Sequence, residues 1–107
     1  MKKQGKKFQI DHILSVVLTE LDIPMERMRT KEKTRPLADA RKIYFMLCNQ
    51  YGVYLAMKKV AGKIKKSHSS MITGIREGNI LVQTDPVFKQ KHFICETRLL
   101  SQSDLAI

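Results

Sequence analysis

The first clear pattern of apolar positions predicts an amphipathic helix that begins at Phe8 or Ile10. Six apolar residues recur at intervals of three and one, which places them on one helical face: Ile10, Ile13, Leu14, Val17, Leu18 and Leu21. This helix must end before Pro24, because proline restricts the residue before it and has no N–H to donate. A short helix over about residues 24–29 is predicted next, with Met25 and Met28 on its buried side.

A longer helix is predicted from Pro36 to about Tyr51. Proline suits the first position of a helix, and Gly52 suits the left-handed residue that ends many helices. Residues 43–48, IYFMLC, are apolar on every side. We therefore expect the other helices to surround this one, so that it forms the structural centre of the domain.

Two shorter helices with a tight turn between them are predicted next. The first carries apolar residues at helical spacing: Met57, Val60, Ala61 and Ile64. Ser67 is a favourable N-cap, so the second helix is expected to begin at His68. Its two sides differ: Met71, Gly74, Ile75 and Gly78 fall on the side expected to pack, and Ser69, Thr73 and Arg76 fall on the other. Such a pair is a helix-turn-helix, whose second helix enters the major groove of DNA.

The rest of the chain predicts one more helix, after a break at Gly78–Asn79. Three apolar residues are expected to return the chain to the core after the break: Ile80, Leu81 and Val82. Asp85 then provides an N-cap and Pro86 the first helical position. The apolar stripe of this last helix consists of Phe88, Cys95 and Leu99, with Val87 and Ile94 beside it. Since no segment alternates like a strand, the predicted class is all-α, a small helical bundle with a helix-turn-helix.

The chain of 107 residues divides into three predicted parts. Residues 1–9 form a flexible basic arm, residues 10–100 the helix-turn-helix domain, and residues 101–107 a frayed tail. Cys48 and Cys95 lack the short spacing of a zinc or redox site, so we expect two buried thiols in a reducing compartment. No segment resembles a signal peptide or approaches the roughly 20 apolar residues of a membrane span. We therefore expect a cytoplasmic protein.

The net charge of +10 favours a polyanionic partner, and its distribution indicates where that partner binds. Residues 36–77 carry eight basic and two acidic side chains, whereas residues 78–107 carry three of each. Five lysines precede the predicted second helix of the helix-turn-helix: Lys58, Lys59, Lys63, Lys65 and Lys66. A second basic segment, residues 29–35, is predicted to be an exposed loop. Together they predict binding to double-stranded DNA through about five phosphates, with a salt slope near −4.5.

The segment Lys66-Ser67-His68-Ser69-Ser70 is similar to the Arg-Asp-His-Thr-Thr motif of a known family. With residues 31–41 and 85–88 in support, residues 10–100 resemble the C-terminal DNA-binding domain of the bacterial replication initiator DnaA. That domain shares its helical core with the Trp repressor. The resemblance implies a bacterial, nucleoid-associated protein that acts in replication initiation or its regulation.

The resemblance also implies roles for individual residues. Lys33 takes the place of an arginine that enters the minor groove, and Arg41 that of an arginine close to the DNA. Base and backbone contacts are implied for His68, Ser69 and Ser70, and Arg76 matches a basic residue further along the helix. Charge, spacing and resemblance together give fourteen candidate DNA-binding residues: Lys31, Lys33, Arg35, Arg41, Lys58, Lys59, Lys65, Lys66, Ser67, His68, Ser69, Ser70, Thr73 and Arg76.

An enzyme is not predicted. Gly62-Lys63 lacks the earlier glycine and the following Ser or Thr of a phosphate-binding loop, so no nucleotide is expected. The three histidines are scattered and the acidic residues do not cluster, so neither a metal nor another cofactor is expected. We expect a monomer. The alternatives are a transcriptional regulator of the Trp repressor type, or a module that binds protein or RNA through the same basic face.

Overall fold

Six helices make up the described part of the chain, residues 7–52 and 56–105, with side chains described as far as Ser101. The structure is a computed structural model. Its helices are α1 (Ile10–Leu21), α2 (Met25–Met28), α3 (Arg35–Tyr51), α4 (Met57–Gly62), α5 (His68–Thr84) and α6 (Pro86–Leu105). The described residues contain no strand, and the predicted all-α class is confirmed.

Parts of the predicted arm and tail, residues 1–6 and 106–107, lie outside the described residues. The last residues of the arm are described, and Phe8 packs against the core. At the other end, α6 continues to Leu105, beyond residue 101 where we expected the tail to begin. None of the described helices combines the length and apolar character needed to cross a membrane.

The central helix α3 is buried along most of its length, as its apolar run predicts. Every residue from Ile43 to Cys48 is buried, and α3 packs against α1, α5 and α6 as well as against both short helices. The hydroxyl of the fully buried Tyr44 donates a 2.7 Å hydrogen bond to the Val60 carbonyl of α4. Burial raises the pKa of this phenol, so Tyr44 stays neutral and connects the helix-turn-helix to the core.

Helix α1 packs on α3 through the predicted apolar stripe, in which Ile13 and Val17 are fully buried. The helix ends at Asp22, which adopts a left-handed conformation with φ 56° and ψ 53°. The next N–H, that of Ile23, donates back to the Leu18 carbonyl at 3.0 Å. This bond pairs one of the last carbonyls of the helix and turns the chain towards α2.

Helix α5 runs without interruption from His68 to Thr84, so the predicted break at Gly78–Asn79 is wrong. Gly78 is buried, and a β-carbon at this position would lie only 2.4 Å from the sulfur of Met46. The glycine therefore allows α5 to pack closely on α3 instead of ending the helix. The predicted burial of Ile80 is also wrong, because this residue is 57% exposed, although the next two residues pack against the core.

Helix α6 begins at Pro86 as predicted, with Asp85 at its N-terminus. The Asp85 carboxylate accepts hydrogen bonds from the backbone N–H groups of Val87 at 3.0 Å and Phe88 at 3.3 Å. The predicted stripe is fully buried: Phe88, Cys95 and Leu99. Val87 and Ile94 were expected beside this stripe, but they are 54% and 37% exposed.

Both cysteines are buried thiols, as predicted, Cys48 in α3 and Cys95 in α6. Burial raises the pKa of each thiol to about 12. A thiol reacts as its thiolate, so both groups are protonated and unreactive at neutral pH.

Gly52 follows α3 in an extended conformation, φ −68° and ψ 132°, so the predicted left-handed ending is wrong. Its N–H donates to the Cys48 carbonyl at 2.9 Å, and a β-carbon would lie 2.5 Å from the same oxygen. The residue also pairs with Phe8 in an isolated parallel bridge, which attaches the N-terminal segment to the end of α3. Glycine is needed here for close approach and not for a positive φ.

We predict that Gly52→Ala lowers the free energy of unfolding by about 1–3 kcal/mol, because the added methyl group meets a backbone oxygen. Gly62→Ala is the matched control, since a β-carbon at Gly62 meets no atom within 4 Å. Alanine there is expected to stabilise the protein by about 0.4–1 kcal/mol. Urea unfolding followed by circular dichroism measures both changes, and equal stability of the two variants would contradict the close contact at Gly52.

Candidate nucleic-acid interface

The helix-turn-helix consists of α4, a turn over residues 63–67, and α5. Ile64 is fully buried and anchors the turn to the core. Lys65 has a positive φ of 57°, and its N–H donates to the Gly62 carbonyl at 3.0 Å. The Lys66 N–H donates to the Ala61 carbonyl at 2.9 Å. This pair of bonds closes the end of α4, with a lysine at the left-handed position that glycine most often occupies.

Ser67 is the N-cap of α5, as predicted. Its hydroxyl oxygen accepts a 3.1 Å hydrogen bond from the Ser70 N–H, and it lies 3.1 Å from the Ser70 hydroxyl. The Ser67 backbone is extended, with φ −93° and ψ 163°, as N-caps require. The cap fixes the direction in which α5 leaves the turn and leaves His68 exposed at the first helical position.

The two sides of α5 differ in burial as their spacing predicts. On the packed side, Met71, Gly74 and Gly78 are buried and Ile75 is half-buried. On the other side, Ser69 and Arg76 are exposed and Thr73 is half-buried. Ile72 lies on this outer side as well, 44% exposed, although it was not among the predicted site residues. Ile72 follows Ser69 by three residues, which places both on one face of a helix. This spacing would have identified Ile72 as a candidate site residue.

Arg41 of α3 holds the basic loop between α2 and α3. Its guanidinium donates hydrogen bonds of 2.6 to 3.1 Å to four backbone carbonyls, those of Arg27, Met28, Thr30 and Glu32. The residue is only 9% exposed. Arg41 therefore shapes the loop, because backbone oxygens accept from four of its five N–H groups. Its expected contact with DNA stays a prediction.

Arg35 is also paired within the molecule. Its Nε lies 3.1 Å from Asp39 Oδ2, and its Nη2 lies 2.5 Å from Asp85 Oδ2. Asp39 and Asp85 raise the pKa of Arg35, and Lys91 of α6 lies 3.0 Å from the same Asp39 oxygen. These pairs connect the start of α3 to the start of α6. Arg35 thus has a structural role, since both carboxylates attract its charge. Its expected contact with DNA stays a prediction.

Two hydrogen bonds join the basic loop to the turn of the helix-turn-helix. The ammonium group of Lys66 donates a 2.6 Å hydrogen bond to the Thr30 carbonyl. In the opposite direction, Arg29 Nε donates a 3.0 Å hydrogen bond to the Lys63 carbonyl. The loop and the start of α5, more than thirty residues apart in sequence, are therefore held side by side.

Four positive charges converge beside the start of α5. Burial lowers the pKa of Lys66, and the neighbouring charges of Arg41, Lys33 and Lys31 lower it further. Like charges at short range repel one another, so a bound polyanion would relieve this repulsion. The sequence predicted that the loop and the helix-turn-helix bind the same partner. It did not predict which of their charges lie close together.

A groove of about 600 Å³ separates the basic loop from α5, and we name it the basic groove. It is lined by Lys31, Lys33, Ala38, Arg41, Lys42, Phe45, Lys66, Ser69, Ser70, Thr73, Gly74 and Glu77. Seven of the fourteen predicted site residues are among them. The tertiary structure therefore assembles one surface from the loop, one face of α3 and the first part of α5.

The lysine run does not form one continuous surface. Lys58 and Lys59 are exposed at the start of α4, and Lys65 lies in a separate depression beside α2. The ammonium group of Lys63 is 2.7 Å from an aspartate of α1. Of the five lysines, Lys66 alone lines the basic groove. The run therefore supplies less of the groove than its sequence suggests.

Five residues that line the basic groove were not among the predicted site residues: Ala38, Lys42, Phe45, Gly74 and Glu77. Lys42 Nζ lies 3.7 Å from the Glu77 carboxylate, so the two helices are joined by an ion pair inside the groove. Ala38, Lys42 and Phe45 share one face of α3 at intervals of four and three. This spacing identifies the three residues as part of the groove only when α5 is known to pack beside the same face of α3.

The groove offers ammonium and hydroxyl donors, which suit the oxygen atoms of a phosphate group. Within residues 7–52 and 56–101, no three His, Cys, Asp or Glu side chains are placed to hold a metal ion. The arrangement is suited to binding an extended anion.

We predict that Arg41→Ala lowers the free energy of unfolding by about 2–3 kcal/mol, because hydrogen bonds to a charged donor contribute about 1.5–3 kcal/mol and several are lost together. Backbone amides of residues 29–33 should also exchange faster with solvent. Lys42→Ala is the control, since its ammonium group pairs with Glu77 instead of with the loop. Hydrogen exchange measured by NMR compares the two variants. Equally protected loop amides in both would show that Arg41 does not hold the loop.

The chain matches a known family over more than half of its length. The family described as "Bacterial dnaA protein helix-turn-helix" matches residues 10–77. This stretch runs from α1 through the first ten residues of α5 and includes every residue that lines the basic groove. A comparison with curated proteins gives no match. The matched domain is a non-catalytic DNA-binding module, and the resemblance predicted from the sequence is confirmed: the chain belongs to the bacterial DnaA helix-turn-helix family.

Proposed function

We propose that the protein binds double-stranded DNA, with α5 in the major groove and the basic loop in the adjacent minor groove. The main observation in support is that the loop cations and the first part of α5 line one groove. Membership of the DnaA family supports DNA binding in replication initiation. We further propose that the protein acts as a monomer in the bacterial cytoplasm, at the nucleoid, in initiation or its regulation.

The shape of the duplex explains why a groove lies between the two binding elements. The major and minor grooves of DNA are separated by one sugar-phosphate strand, so a protein that enters both must make room for that strand. The basic groove provides the room, with Lys31 and Lys66 beside it and the Ser70 hydroxyl on the α5 side. The positive end of the α5 dipole also favours a phosphate near this end of the helix.

Sequence preference is expected to come from the outer side of α5. Ser69 is exposed and its hydroxyl can donate to or accept from a base edge, and Thr73 offers a hydroxyl and a methyl group one turn later. Ile72 lies between them, exposed, and an aliphatic side chain can contact the methyl group of thymine. Arg76 continues the same side and can bind either guanine or a phosphate.

The remaining exposed candidates are expected to add affinity without sequence preference. Lys58, Lys59 and Lys65 lie outside the basic groove, and His68 lies at the start of α5. Flexible cations at such positions can reach phosphates that flank the central site, and contacts of this kind are independent of base sequence.

We predict that the double variant Ser69→Ala, Thr73→Ala loses most of its preference among duplex sequences, while its salt slope stays the same. A good base contact contributes about 1–3 kcal/mol of discrimination, so the preference should fall about ten- to hundredfold. For the unmodified protein, log K should fall against log salt with a slope of about −3 or steeper, from three or more phosphate contacts. Fluorescence anisotropy with duplexes selected from a random pool measures both quantities.

Two outcomes of this measurement contradict the proposal. An unchanged preference in the double variant would show that the outer side of α5 does not read bases. A complex that is insensitive to salt, or no complex with duplex DNA at low salt, would exclude the proposed partner and favour an RNA or protein partner instead.

We also predict that Lys33→Ala weakens binding most for duplexes with A·T-rich flanks, because the narrow minor groove of such sequences concentrates negative potential. Lys89→Ala is the control, since this exposed lysine lies on α6, outside the basic groove, and removes the same charge. The dissociation constants of both variants are compared on A·T-rich and G·C-rich flanks. Equal losses on the two kinds of flank would contradict insertion of Lys33 into the minor groove.

A further inference from the structure

Glu77 places a negative charge inside a groove that is otherwise positive. Among the residues that line the basic groove, all within the described chain, it is the one acidic side chain. Its carboxylate lies 3.7 Å from the ammonium group of Lys42, with 53% of the Glu77 side chain and 20% of the Lys42 side chain exposed. The carboxylate therefore faces both the lysine and the space in which an anion would bind.

We propose that Glu77 limits the affinity of the basic groove for DNA by neutralising Lys42 and repelling the phosphate strand. This inference rests on the proposed function. The positive charge of the groove then comes from Lys31, Lys33, Arg41 and Lys66. Lys42 contributes little while its charge is balanced.

The electrostatic argument follows from how DNA binding depends on salt. Each cation that neutralises a phosphate releases counterions from the duplex, which gives about −0.9 in the slope of log K against log salt. A lysine that already has a carboxylate partner releases few counterions. Glu77 thus lowers the affinity for DNA. It also makes the slope of log K against log salt shallower by about 0.9, the value for one phosphate contact.

The ion pair is not needed to hold the two helices together. Helices α3 and α5 already pack closely, because a β-carbon at Gly74 would lie 2.8 Å from the Phe45 ring and one at Gly78 would lie 2.4 Å from the Met46 sulfur. A pair as accessible as Lys42 and Glu77 contributes only about 0–1 kcal/mol to stability. The placement of the pair inside the groove is therefore better explained by its effect on an anionic ligand.

Glu77→Gln tests the proposal. The variant should bind a duplex of mixed sequence about three- to tenfold more tightly at 0.1 M salt, with a salt slope steeper by about 0.9. Asp11→Asn is the matched control, because it makes the same change in net charge and also frees a lysine, Lys63, from a carboxylate 2.7 Å away, outside the basic groove. It should leave the salt slope unchanged.

Lys42→Gln tests whether the gain in affinity of Glu77→Gln comes from the freed lysine. Combined with Glu77→Gln it should remove most of the gain in affinity, because no lysine is then freed in the groove. Circular dichroism confirms that every variant is folded before binding is compared.

The outcomes distinguish this inference from the proposed function. If the unmodified protein does not bind duplex DNA, both are contradicted. If it binds with the expected salt dependence, but Glu77→Gln gains no affinity or gains no more than Asp11→Asn, the inference about Glu77 is wrong and the proposed function stands. If the double variant Lys42→Gln, Glu77→Gln keeps the full gain of Glu77→Gln, the inference is also overturned, because the gain would then not come from a freed Lys42.

Discussion

The burial of α3 is the constraint on which the rest of the structure depends. Its residues 43–48 have no side open to water, so each of the longer helices packs against it and their positions follow from that packing. The packing is also close, because Gly74 and Gly78 have no β-carbon and α5 can approach the side chains of Phe45 and Met46 directly. With its inner side fixed in this way, α5 presents the opposite side, and the hydroxyls on it, to solvent.

The same helix also shapes the loop that completes the site. Residues 29–35 are polar and exposed, and a segment of this composition has little apolar surface with which to fold by itself. Arg41 orders the loop from within α3, because its guanidinium donates to the carbonyls of Thr30 and Glu32 in the loop and to two carbonyls at the end of α2. As a result like charges are held together, and they lower the pKa of Lys66 further than its burial does by itself. A rigid scaffold that keeps these cations close together is suited to binding a polyanion.

Features that depend on neighbours in sequence were predicted well. The α1 stripe, the Ser67 cap and the Asp85 cap all follow from residue types at local spacing, and the structure has each of them. The glycines were predicted less well. Gly78 was expected to break a helix and Gly52 to turn left-handed, yet both are needed because another atom lies close to the α-carbon. A contact of that kind involves the tertiary neighbours of the glycine, which no local pattern specifies.

The sequence by itself determined the helices, their apolar faces, the excess of positive charge and the family. Only the tertiary structure decided which cations share a surface. Lys66 faces the basic groove while Lys63, three residues earlier, pairs with α1, and Arg35 is paired with a carboxylate fifty residues away. The physical reason is that helical periodicity specifies which face is buried but not which helix covers it. The end of a long cationic side chain lies wherever carbonyls, carboxylates and water from distant segments stabilise it most.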